Sequence, residues 1–105
     1  MRTYAKQKTR GHFLRKALKK SPTEIIKYYE SHGLVITGTG KWRKALCPFH
    51  QEKQPSLGIN TETGGYSCLA CGARGGDILS FHMHKHGMGF IQAAKELGAW
   101  IELKS

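Results

Sequence analysis

Apolar residues first recur at helical spacing between residues 22 and 32. Ile25, Ile26, Tyr28 and Tyr29 line one face there, and the pattern predicts a helix over 22–32. Its start is legible in Ser21-Pro22-Thr23-Glu24. Ser21 can cap, Pro22 suits the first helical position, and Glu24 can return the bond as a capping box. Gly33 is the stop. The period then shortens. Leu34 to Thr37 and Lys41 to Leu46 read as strands around Gly38-Thr39-Gly40. Leu57 to Asn60 and Tyr66 to Cys68 read as a second pair around the turn at 61–65. The last third returns to helical period. Asp77 opens a helix carrying Ile78, Leu79, Phe81 and Met83, and Gly87 ends it. Phe90, Ile91, Ala94 and Leu97 mark another, ended by Gly98. The expected fold is α+β: small antiparallel hairpins flanked by helices.

Charge divides this pattern in two. The chain has 105 residues, 17 Lys+Arg against 7 Asp+Glu, and a net charge of +10. Residues 1–20 hold eight of the basic residues and no acid, so they carry +8; residues 21–105 carry only +2. The expected organisation is a basic arm, 1–20, joined to a nearly balanced domain, 21–105. Two readings of the arm stand side by side: a disordered solubilising tail, and an arm that grips phosphates. Phe13, Leu14, Ala17 and Leu18 lie at helical spacing, so part of it can become a basic amphipathic helix on contact with a partner. The excess cations favour nucleic acid over a membrane surface. No run approaches the 18 apolar residues of a membrane span, and the N-terminus has no apolar signal-peptide segment. A cytoplasmic setting is expected, in which the three cysteines stay reduced.

Those cysteines have a metal-site spacing. Cys47-Pro48-Phe49-His50 follows the first hairpin and Cys68-Leu69-Ala70-Cys71-Gly72 the second. Each pair has two intervening residues, so one tight turn can aim both side chains at one ion. Three thiols and one imidazole complete a tetrahedral Zn²⁺ shell with no open position, which makes the ion structural. A redox role for Cys68 and Cys71 lacks its βαβ context, and the imidazole argues against a rubredoxin-like iron site. His82 and His86 are one helical turn apart, but no Cys or acidic partner adjoins them. They read as ordinary helix residues, and His12 and His32 carry no signal.

Residues 47–57, CPFHQEKQPSL, followed by Tyr66-Ser67-Cys68-Leu69-Ala70-Cys71-Gly72-Ala73-Arg74-Gly75-Gly76-Asp77, resemble the CHC2-type zinc-binding domain of bacterial and phage DnaG-like DNA primases. The likeness runs from Ser21 to about Leu97. It implies a zinc ribbon with Cys47, His50, Cys68 and Cys71 as ligands. It also implies a module that binds single-stranded template DNA and helps primer initiation. The expected partners are a separate Toprim-type catalytic subunit and the replicative helicase machinery. The residues matching the family's nucleic-acid surface are Lys41, Trp42, Arg43 and Lys44, with Lys53, Tyr66 and Arg74 nearby.

Strand alternation puts Trp42 and Lys44 on one face and Lys41 and Arg43 on the other. Trp42 is either packed against the first helix or presented to a base; Tyr66 is either core or platform. Arg74, after the knuckle, is expected to be exposed and to meet a phosphate. Nucleotidyl transfer needs clustered carboxylates, and here Asp77 stands at a helix start while six Glu are scattered. The module is therefore expected not to be an enzyme on its own. The alternative is a zinc-ribbon interaction or regulatory protein that binds duplex DNA or a replication or transcription protein.

Overall fold

The structure, a computed structural model, describes residues 11–103. Strand β1 (Gly11–Phe13) leads through a 3-10 turn (Arg15–Leu18) to helix α1 (Pro22–Glu30). Strands β2 (Trp42–Ala45), β3 (Leu57–Asn60), β4 (Tyr66–Cys68) and β5 (Arg74–Gly75) follow. Helices α2 (Ile78–His86) and α3 (Phe90–Glu96) precede strand β6 (Trp100–Glu102).

The local signals act as elementary chemistry requires. The Ser21 Oγ accepts from the Glu24 amide at 3.2 Å, and the Glu24 carboxylate accepts from the Ser21 amide at 2.8 Å. Asp77 caps α2 by accepting from the Ser80 amide at 2.9 Å. Gly87 ends α2 at φ 63°, ψ 38°, the left-handed conformation that glycine adopts without Cβ strain.

The second expected hairpin is present as the antiparallel pair β3–β4, but the first is not. Strands β2 to β5 form one antiparallel sheet in sequence order. The partner of β2 is β3, with Trp42 opposite Asn60 and Ala45 opposite Leu57. The segment expected as the first strand, Leu34 to Thr37, makes a single bridge, Thr37 to Lys44. Its buried Leu34 is drawn into the core beneath α1, while the next residue, Val35, stays in solvent. The first ten residues of the expected basic arm lie outside the described residues. Its second half is folded: β1 pairs antiparallel with β6, and the Leu14 amide donates to the Ala99 carbonyl at 2.7 Å. The amphipathic stretch at Phe13–Leu18 runs from the end of β1 into the 3-10 turn and packs on the domain, rather than forming an α-helix that awaits a partner.

Two apolar clusters hold these parts. The larger fills the space between the sheet, α1 and α2 with Ile25, Tyr29, Leu57, Ile59, Tyr66 and Phe81, and it includes Cys47 and Cys68. The smaller joins Leu79, Ala93, Ala94 and Ala99 to Phe13, Ala17 and Trp100. Small residues on α3 let it approach α2 closely, and Leu18 touches both clusters. The buried Tyr29 hydroxyl donates to the Gly64 carbonyl at 2.5 Å, so its polar tip costs little inside the core.

Candidate metal centre and adjoining sheet face

The two Cys-containing loops meet at one end of the sheet. Cys47 follows β2 and Cys68 ends β4; β3 lies between these strands and sets their spacing. Gly72 sits at φ 81°, which turns the second knuckle so that its amide donates to the Cys68 carbonyl at 3.0 Å. One ligand atom from each of Cys47, His50, Cys68 and Cys71 falls within 4.8 Å of the others. Cys47 Sγ and Cys71 Sγ are 3.8 Å apart. Two thiolates at tetrahedral Zn–S bonds of about 2.3 Å would be separated by about 3.8 Å.

The imidazole supplies the clearest fit. His50 Nε2 meets Glu52 Oε1 at 3.0 Å, while His50 Nδ1 is buried with no hydrogen-bond partner. An orphaned, buried lone pair beside three thiols is what a metal ligand looks like before the ion is considered. The carboxylate on the opposite nitrogen fixes the tautomer that leaves Nδ1 free to ligate. Burial pushes the Cys47 thiol up to about 12, so a cation is needed to hold it as thiolate. For Cys68, burial acts in the same direction, but the backbone N–H groups of Cys71 and Ala70 outweigh it and lower the thiol. The donor set fits one structural zinc ion.

Glu52 is the functional residue the sequence reading missed. Its Oε2 accepts from the Cys47 amide at 2.8 Å and from the Ser56 amide at 3.1 Å, while Oε1 faces His50. These bonds, the Cys47 amide first, lower its carboxyl to about 2. One side chain thus ties the first ligand loop to the start of β3. Its signal was its place two residues after His50, close enough to return to that imidazole. Removing it in Glu52→Ala should lower zinc affinity about 10- to 100-fold. Competition against a chromophoric chelator measures this, and an unchanged affinity would reduce Glu52 to a loop brace.

The outer face of the sheet adjoins the metal loops. Lys44, Gly58, Ser67 and Arg74 stand directly opposite one another across β2 to β5, and Trp42 is on the same face as Lys44. Trp42 is 53% exposed and so is not packed into the core against α1. Its ring lies over Gly58, where an added Cβ would come within 3.4 Å of the indole. A groove of about 290 Å³ runs here between Trp42, Lys44, Pro55, Gly58, Ser67 and Leu69.

The other candidates fall differently. Arg74 and Lys53 are exposed. Lys41 lies just before β2 and pairs with Glu62 at 3.8 Å. Arg43 turns to the other face, and its Nε donates to the Gly40 carbonyl at 2.9 Å. Tyr66 lies in the core. It is 3% exposed on the inner face, edge-on to Phe81, with its hydroxyl 3.2 Å from His84 Nδ1. Strand alternation sends Tyr66 inward with Cys68 and leaves only Ser67 outward.

The family model described as the CHC2 zinc finger, of the DnaG zinc-ribbon type, matches residues 15–105. The DNA primase of Lactococcus lactis is 45% identical over 67 residues, 64% of this chain and 10% of that protein. The gene 58 protein of Mycobacterium phage D29 is 40% identical over 55 residues, 52% of this chain and 42% of that protein. The crystal structure of the Aquifex aeolicus primase (zinc-binding and RNA polymerase domains) aligns with a TM-score of 0.65. That alignment covers 81% of this chain and 20% of the other at 23% identity, a likeness of fold. The chain thus spans about a tenth of the Lactococcus primase and less than half of the phage protein. With its Cys₃His centre and its match over nearly all the described residues, the chain belongs to the CHC2 zinc finger family.

Proposed function

We propose that this module binds single-stranded template DNA on the outer face of its sheet and helps a DNA primase begin primers. Catalysis on this reading belongs to a separate Toprim-type subunit working with the replicative helicase machinery. The observation that carries the reading is the exposed Trp42 beside Lys44, with Arg74 across a floor of Gly58 and Ser67. Single-strand binders combine an aromatic platform for bases with cations that follow the phosphates. The flat floor admits a base against the indole, and strand spacing puts Lys44 and Arg74 roughly 14 Å apart, about two phosphates of an extended strand.

The carboxylates support a binding role. Glu24 and Asp77 cap helices, Glu52 serves His50, Glu96 accepts from His82, and Glu62 and Glu102 pair with Lys41 and Lys95. These six are spread across the fold in structural contacts, which is not the arrangement that holds catalytic divalent ions.

The test is strand preference. The chain should bind single strands more tightly than duplex and lose indole fluorescence as bases stack. Trp42→Ala should weaken single-strand binding about 5- to 150-fold, the equivalent of about 1–3 kcal/mol for one stacked base. Lys44→Ala and Arg74→Ala should each flatten the slope of log affinity against log salt by about 0.7. Preference for duplex, or indifference to Trp42→Ala, would favour the regulatory reading instead.

A further inference from the structure

A second constellation of metal-binding side chains lies among the helices. His32, just beyond α1, meets His82 and His86 of α2, although fifty residues separate them in the chain. One ligand atom from each lies within 4.8 Å of the other two. We propose that His32, His82 and His86, with the Glu96 carboxylate beside them, form a second metal site. It would take a borderline divalent transition ion such as Zn²⁺.

The hydrogen bonds orient the donors. His32 Nδ1 is 3.0 Å from the Tyr28 carbonyl. A carbonyl only accepts, so Nδ1 carries the proton and Nε2 the lone pair. That Nε2 is 3.0 Å from His86 Nε2. Two imidazole nitrogens on one tetrahedral zinc, at bonds of about 2.0–2.1 Å, stand about 3.3 Å apart. Without an ion, one ring must donate to the other. With an ion, both present lone pairs and His86 carries its proton on Nδ1.

His82 is the buried member. Its Nδ1 is 2.6 Å from the Tyr28 hydroxyl, and its Nε2 is 2.8 Å from Glu96 Oε1. The hydroxyl can donate or accept, so it tolerates either tautomer. Release of the Glu96 bond frees His82 Nε2 and leaves that carboxylate, held at its other oxygen by the Gln92 side chain at 3.0 Å, beside the site as a fourth donor that must shift to reach the ion. Tyr28 thus fixes two of the three imidazoles, one through its carbonyl and one through its hydroxyl, as second-layer partners do in metal sites.

The donor chemistry separates this site from the Cys₃His centre. Three imidazoles and a carboxylate suit zinc, nickel or copper, and without thiolate they exchange the ion more readily. An ion here would tie the end of α1 to α2 and α3. His84 does not belong to the site: it stacks on Phe49 at 3.8 Å, on the side of the Cys₃His loops.

Untagged full-length chain, already holding one equivalent of zinc, is titrated with Co²⁺. The wild type should bind one further equivalent that shows ligand-field bands without the intense thiolate charge-transfer band. His86→Ala changes an exposed side chain, and His32→Ala a half-buried one. Each should abolish the second equivalent while the first zinc and the near-ultraviolet circular dichroism persist. Glu96→Gln should weaken the second site about 10-fold or more. A single equivalent in the wild type overturns the proposal. So does a second equivalent kept by both histidine variants.

Discussion

Chelation of the zinc ion should abolish the tertiary structure of residues 42–75 and leave a chain that regains it when zinc is returned. Two ligands, Cys47 and Cys68, belong to the main apolar cluster itself, packed with Leu57, Ile59 and Phe81. Loss of the ion leaves the His50 Nδ1 buried and unpartnered, and it removes the one bond that joins the two ligand loops through all four donors. The strands between them are short, four residues at β3 and three at β4. A core of this size supplies about 3–5 kcal/mol, whereas structural zinc contributes on the order of 10 kcal/mol at neutral pH. The ion therefore decides whether the sheet persists.

The second core, built on Leu79, Ala93, Ala94 and Ala99, has no metal ligand, so helical signal should outlast sheet signal. Amide exchange during chelation distinguishes the two regions, and near-ultraviolet circular dichroism reports the aromatic packing. An unchanged spectrum after verified metal removal would refute the expectation. The sign with pH follows from the ligands. Zinc holds thiolates, protons compete for them, and burial favours protonation of Cys47. Affinity should fall as pH falls, and the sheet should loosen with it.

Phe81→Ala should cost about 3–5 kcal/mol, a large share of the 5–15 kcal/mol typical of a whole domain. Phe81 has no exposed surface. Its ring is edge-on to Tyr29 at 4.7 Å and Tyr66 at 5.3 Å, and 5.6 Å from Phe49. Those partners come from α1, β4 and the first ligand loop, so one side chain joins the helices to the metal-bearing sheet. Truncation opens a cavity that three rigid rings cannot fill together. Denaturant unfolding of the zinc-loaded chain measures the loss, and Phe81→Leu should retain much of the stability. A loss below about 1 kcal/mol would show that the cluster collapses around the gap. Because Phe49 lies between Cys47 and His50, the alanine variant should also release zinc faster.

What could be read from the chain alone was whatever depends on neighbours within a few residues. The capping box at Ser21, the Asp77 cap, the left-handed stop at Gly87 and the two-residue ligand spacings are local geometry, and each stands where the pattern put it. The same locality explains the misses. Pairing β2 with β3 rather than with Leu34 to Thr37 was decided by which residues the core could bury, and both segments carried strand composition. The fate of Phe13–Leu18 was decided by β6, some ninety residues away, whose three-residue strand offered no periodic signal of its own.

For the site, the chain alone determined that three thiols and one imidazole could share an ion, because their spacing within each loop requires no knowledge of the fold. It also determined that Trp42 and Lys44 share a face, because alternation is a property of any strand. Only the tertiary structure decided which face was covered. It turned Tyr66 inward and left Trp42 in solvent. It likewise brought His32 to His82 and His86, a meeting no periodicity announces, because α1 and α2 become neighbours only by burying Tyr29 and Phe81 against each other. Local backbone preference acts along the chain, whereas apolar burial acts across it and chooses which distant side chains meet.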